Sequence, residues 1–344
     1  MGHMRLRFLG VVAAAMVFTL ACGGTTGGGT PTKTYKIGLV TDIGGLNDKS
    51  FNHLADVGLE KAKSDFKIKA DVKESKSGDD YVPNLTDFAT KGYDLVIGVG
   101  FLMQEAVGTV SGQFPNIHFA IIDGAGTDSK GNDPKHSNVV SLYFKEQDAG
   151  AMVGVMAGWL EKNGKAKKNK HVVGAVGGIS IPPVNHYIAG YKWAAKMEDP
   201  SIQVLVGYSN NFTDPAKCAG VANSQINQGA DVLFQVAGGC GLGVLQSAGK
   251  AGVYSVGVDA DQKDVDPSVI ASALKKVDVA TYTAIKNVVN NQFTSGALTF
   301  EIKNGGAGYA VDNLDLPAEL KAELDKIEGQ IKSGALTPPA DIPA

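Results

Sequence analysis

Cysteine is scarce in this chain: three residues in 344, none in a CxxC pair, with no HExxH segment and no clustered histidines. The patterns that hold a metal centre are therefore missing, and no cofactor is expected. Positive charge is not in excess either. Lys and Arg total 32 against 35 Asp and Glu, a net charge of −3, and no helix-turn-helix segment precedes the first strand, so nucleic acid is excluded as the expected partner. A membrane-spanning apolar stretch is also lacking. The run from Leu9 to Leu20 is too short for a permanent span, but behind Arg5 and Arg7 it suits the apolar region of an export signal.

That signal sets the compartment. Thr19-Leu20-Ala21-Cys22 resembles a bacterial lipobox, with Thr19 where leucine is preferred, and implies a chain whose Cys22 is lipidated and anchored to the cell membrane, facing the periplasm or exterior. Ordinary signal cleavage near Ala21 is the competing reading. Residues 1–22 are thus read as signal plus lipobox cysteine, and 23–34, made of Gly, Thr and Pro with one Lys, as a flexible tether. With Cys22 set aside, Cys218 and Cys240 remain as an even pair in an oxidising compartment, either bonded or buried as free thiols.

Length and a 44% hydrophobic content favour two lobes. Strand-like apolar runs alternate with helical periodicity from residue 35 to about 293, the pattern of βαβ units and parallel sheets. Strands are expected near 36–41, 67–73, 94–99, 118–122 and 138–143, then near 171–176, 202–208, 232–237, 254–258 and 269–274. Phe51, Leu54, Ala55, Gly58, Leu59 and Ala62 mark one helix face, and Val184, Tyr187, Ile188 and Tyr191 another after Pro182-Pro183. Met152, Val155, Met156, Trp159 and Leu160 read as core. Residues 299–303 and 308–311 around Gly305-Gly306 read as a hairpin, followed by a helix near 317–332.

The expected fold class is α/β, similar to the type I periplasmic binding architecture: two doubly wound parallel-sheet lobes joined by hinge crossovers. Residues 35–142 with 260–293 are assigned to lobe 1, 143–259 with 294–336 to lobe 2, and 337–344 to a mobile tail.

Four segments carry a family resemblance: Lys36 to Asp42, Asn47-Asp48-Lys49-Ser50-Phe51, Gly150 to Gly154, and Val256 to Asp261. They resemble the basic membrane protein family, the purine nucleoside receptor lipoproteins of bacterial ABC importers, over nearly all of the mature chain. The resemblance implies a receptor, not an enzyme, that captures guanosine, inosine or adenosine between its lobes and delivers it to ABC permease subunits; a monomer is expected because the hinge between lobes must stay free.

The residues can be weighed against that implication. In an open α/β sheet, ligands settle outside the carboxyl ends of the strands. Phe51 and Phe212 stand at such exits and offer rings to stack on a base, although Phe51 also begins an apolar helix stripe. Asp259 can accept both hydroxyls of a ribose diol or cap a loop, with Asp261 the alternative cap. Asp42 and Asp123 are placed to accept N–H groups of a base, and Asp123-Gly124 also reads as a turn. Asn47 and Asp48 can read polar edges, or one can cap the helix they introduce. Gly100, Phe101, Gly238 and Gly239 end strands where backbone can approach a ligand. The family places a lysine near Lys275, with Lys276 adjacent.

Two other functions compete. The same fold could bind a sugar or signalling ligand, using the same rings. A nucleoside hydrolase also opens with a strand and an Asp-rich loop, but Val40 and Asn47 stand where its calcium cage needs two more carboxylates. Gly174 to Gly178 follows a strand without the spaced three-glycine fingerprint of dinucleotide enzymes.

Overall fold

The computed structural model describes residues 33–343 together with Met1. The signal-like segment, Cys22 and all but the end of the tether lie outside the described residues. In the first half β1 (Lys36–Val40), β2 (Lys69–Lys73), β3 (Leu95–Val99), β4 (His118–Ile122) and β5 (Val139–Phe144) alternate with α1 (Phe51–Phe66), α2 (Tyr81–Thr90) and α3 (Gln104–Gln113). After α4 (Glu146–Lys162) the alternation repeats: β6 (Val172–Gly177), α5 (Pro182–Glu198), β7 (Gln203–Tyr208), α6 (Pro215–Asn227), β8 (Val232–Val236), α7 (Leu242–Ala251), β9 (Tyr254–Asp259) and β10 (Val269–Lys275). α8 (Val277–Val289), β11 (Gly296–Phe300), β12 (Ala307–Val311) and α9 (Ala318–Ser333) close the chain.

These strands build two six-stranded sheets of matching order, β11-β5-β4-β3-β1-β2 and β12-β10-β9-β8-β6-β7. Every pairing is parallel except β12 against β10. In each sheet the order reverses beside the first strand, at β1 and at β6, which creates the crevice where doubly wound sheets receive ligands. Apolar clusters cover both faces of both sheets: α1 and α8 on one face of the first, α2 and α3 on the other, α4 and α5 against α6 and α7 in the second.

The structure corrects three expectations about the chain's later course. β11 and β12 are not a hairpin, because β11 pairs with β5 in the first sheet and β12 with β10 in the second. Gly305-Gly306 is a crossing between lobes. For the same reason the assigned division shifts: β10, placed in lobe 1 with 260–293, belongs to the second sheet, and β11, placed in lobe 2 with 294–336, belongs to the first. The expected mobile tail, 337–344, is packed over its described residues 337–343. Pro338 is buried, Leu336 and Ile342 pack on the second lobe's core, and Lys192 on α5 donates to the Pro343 carbonyl.

Helix α4 lies against α5 at backbone distance. A Cβ built on Gly150 would stand 2.2 Å from the Tyr187 carbonyl oxygen, on Gly154 2.4 Å from that of Tyr191, and on Gly158 2.6 Å from that of Ala195. The four-residue spacing puts all three glycines on one helix face. A methyl there must push rigid backbone aside, so Gly154→Ala is expected to lower stability by about 1–3 kcal/mol, measured by denaturant unfolding. By contrast Gly329→Ala on α9, where nothing lies within 4 Å of the added methyl, should not.

Candidate ligand-binding site

The carboxyl ends of both sheets face a common cavity that encloses about 630 Å³ free of protein atoms, counting its mouth. Eleven of the twelve residues predicted to touch a ligand line it: Asp42, Asp48, Phe51, Gly100, Phe101, Asp123, Phe212, Gly238, Gly239, Asp259 and Lys275. Asn47 does not. It is exposed on the outer side of its turn, and Asp48 alone turns inward.

Each of these residues is held there by local structure. Asp48 accepts from the amides of Ser50 (2.9 Å), Asn52 (2.8 Å) and His53 (3.1 Å), so it caps α1 and lines the cavity at once. Phe51 is thereby fixed as the first residue of α1, half-buried at the rim of the first lobe's core. Phe212 comes from the loop between β7 and α6 in the second lobe. Its ring lies over Gly178, where a Cβ would stand 2.3 Å from a ring carbon, and its carbonyl accepts from the Cys240 amide at 2.9 Å. Cys240 is bonded to Cys218, so a disulfide braces the loop that carries the ring. Asp123 and Asp259 end their strands with φ of 67° and 61°, a left-handed backbone rare for side-chain-bearing residues and concentrated at functional sites.

Charge in the cavity is lopsided. Four lining carboxylates, Asp42, Asp48, Asp123 and Asp259, share one ammonium, Lys275. Lys275 lies 2.5 Å from Asp123 Oδ2 and 2.8 Å from Glu146 Oε1, while Lys276 points elsewhere and is only half-buried. Burial opposes the charge on Lys275, yet Asp123, Glu146 and Asp259 outweigh it and raise its pKa. Glu146 also holds His186 Nδ1 at 3.0 Å. Burial raises Glu146, but Lys275 and His186 overcome it and keep it below the usual carboxylate range.

The remaining acids move the other way. Burial pushes Asp123 up to about 7 against the pull of Lys275, and its Oδ1 is buried without a hydrogen-bond partner. Asp42 is pushed by burial up to about 6, against hydrogen bonds from the Tyr81 hydroxyl and the Ile43 amide (2.7 Å). Asp259 is raised by burial, although Lys275, the Ser50 hydroxyl (2.6 Å) and the Tyr187 hydroxyl (3.1 Å) favour its charged form. Acceptors arranged this way suit a neutral molecule rich in N–H and O–H donors, and repel an anion.

Several contributors escaped the sequence reading. Tyr187 lines the cavity and holds Asp259; its place one turn after the Pro182-Pro183 start, at a strand exit, is the signal that could have found it. Glu146, which opens α4 directly after β5, had the same positional signal. Asn52 accepts from the Asp42 amide at 2.9 Å and donates to Asp48 Oδ2 at 3.0 Å, a link that local sequence could not reveal.

A sequence model for the family described as ABC transporter substrate-binding protein PnrA-like matches residues 35–338. The chain is 34% identical over 336 residues to an uncharacterized lipoprotein of Pyrococcus furiosus, covering 93% of this chain and 81% of that one. It is 30% identical over 366 residues to the ABC transporter nucleoside-binding protein BmpA of Lactococcus lactis, covering 98% and 100%. Among solved structures, an ABC transporter solute-binding protein of Aeropyrum pernix superposes with a TM-score of 0.80 at 27% identity, over 89% of this chain and 94% of that one.

The buried acids give a pH dependence of known sign. Asp42 has a folded pKa near 6 against an ordinary value of 3.8, so the folded state binds its proton more tightly. Its contribution favours folding as pH falls through about 6 and is complete below the unfolded value. Asp42→Asn removes the charge at every pH. Relative to the parent, the variant should be most stable near pH 8 and lose that advantage toward pH 4, a trend that thermal unfolding across the range checks.

Proposed function

Because the chain belongs to the PnrA-like family of ABC transporter substrate-binding proteins, we propose that it captures a purine nucleoside between its lobes and delivers it to a permease. The observation that carries this reading is the pair of rings, Phe51 from the first lobe and Phe212 from the second, at one acid-lined cavity. A base has two flat faces, and stacking on each is worth about 1–3 kcal/mol. One ring from each lobe makes the base part of the closure. Asp259 accepts from the ribose hydroxyls, while Asp42 and Asp123 accept from the edge of the base. The nucleoside-binding name of the Lactococcus relative supports the same ligand class.

No bond is broken in this scheme. The ligand shifts the hinge toward the closed form, and the permease distinguishes closed from open. The receptor acts as a monomer tethered through lipidated Cys22 on the outer side of the membrane, in keeping with the lipoprotein name of the Pyrococcus relative. Among the described residues no helix is long and apolar enough to cross a membrane.

Calorimetry with inosine, guanosine, adenosine, uridine and ribose tests the reading. Nucleosides should bind and free ribose should not; ribose binding without nucleoside binding would overturn the ligand assignment. Inosine 5′-monophosphate should bind far more weakly than inosine, since its phosphate meets an excess of carboxylates. Phe212→Ala should cost about 1–3 kcal/mol of affinity, and unchanged binding would place that ring outside the recognition surface.

A further inference from the structure

Ser50 and Gln262 join the lobes without lining the cavity. Ser50 is fully buried at the start of α1 in the first lobe, and its hydroxyl donates to Asp259 Oδ2 in the second at 2.6 Å. The turn that presents it is tightly specified, because Lys49 takes a left-handed φ of 53° and the Ser50 amide is held by Asp48. Gln262, also buried, follows β9 in the second lobe. Its Oε1 accepts from the Val258 amide at 3.1 Å and from Gln235 Nε2 at 2.6 Å. A main-chain N–H can only donate, so the oxygen must face Val258 and Nε2 must face the first lobe. There it donates to the Lys49 carbonyl at 3.3 Å.

We propose that these two contacts are a latch: Ser50 and Gln262 hold the lobes shut without touching the ligand, and so set the affinity and lifetime of the complex. Two consecutive residues of one lobe are gripped, one by a carboxylate and the other by an amide locked in its own network. A charge-assisted bond in a water-poor interface is stronger than a neutral one, and both bonds exist only when the lobes meet. When only the closed form grips the ligand, apparent affinity scales with the fraction of molecules closed. A residue that acts through this fraction alters affinity for all ligands alike. One that touches the ligand alters the ratio between ligands.

The affinity arm rests on the nucleoside reading above, and the shape arm does not. Small-angle scattering of the ligand-free protein should show a larger radius of gyration for S50A/Q262A than for the parent. Stopped-flow measurements with inosine and uridine should show dissociation about tenfold faster for both, with their affinity ratio unchanged and S50T restoring parental behaviour for the serine contact. If the double variant does not fold, S50A, which removes a single hydroxyl oxygen, carries both measurements. Parental compactness in the variants would overturn the latch, as would a changed inosine-to-uridine ratio. A parent that binds no nucleoside would instead overturn the ligand assignment and leave the scattering result to judge the latch.

Discussion

A single buried ammonium makes the interlobe site tenable. Lys275 leaves the end of β10 in the second sheet and reaches Asp123 at the end of β4 in the first, with Glu146 on its other side. Burying an ion costs several kcal/mol unless partners replace its water. Here two carboxylates do so, and the faces of Phe51 and Phe144, at 5.1 and 4.8 Å, add a cation–π environment. Without this charge three acids would confront one another in a medium that screens poorly. The geometry of the cavity therefore follows from one residue's position, and that position follows from β10 belonging to the second sheet.

What Lys275 leaves unbalanced is an excess of hydrogen-bond acceptors facing the cavity. It neutralises part of the acidic ring, and the remainder can be relieved by a ligand's donors or by protons. Asp123 shows this most plainly: one oxygen is held by Lys275 and the other is buried with no partner. An unsatisfied buried acceptor is costly in isolation and rewarding when a donor arrives. The left-handed backbone at Asp123 and Asp259 is then intelligible as the conformation that turns both carboxylates off their strands and into the space between the lobes, held by the surrounding sheet.

Much of this was legible in the chain because strand exits can be read from periodicity. An apolar run that stops at Asp42, Gly100, Asp123, Asp259 or Lys275 marks a strand end, and in doubly wound sheets those ends converge. What periodicity cannot carry is membership: the alternation around β10 and β11 is identical whichever sheet each strand joins, so the lobe boundaries were misplaced. Gly305-Gly306 misled for a related reason, since two glycines permit a tight turn and equally permit a crossing. Asn47 and Asp48 were equivalent by composition, and only the geometry of the α1 cap separates the inward residue from the exposed one.

The crossings themselves explain why a ligand in this cavity can move whole lobes. They run side by side and are tied together: the Lys145 amide donates to Phe300 at 2.9 Å, that of Lys276 to Gly306 at 3.0 Å, and Lys145 pairs with Glu301. Three chain segments tied in this way form one connection between the lobes. Glu146 and Lys275 adjoin two of those crossings, which sets the charged cluster at the pivot. The Lys275–Glu146 pair lies within one lobe, whereas Lys275–Asp123 spans the two. A ligand that supplies donors to Asp123 while stacking on both rings acts where the lobes' relative position is decided, so modest contacts suffice to shift the hinge.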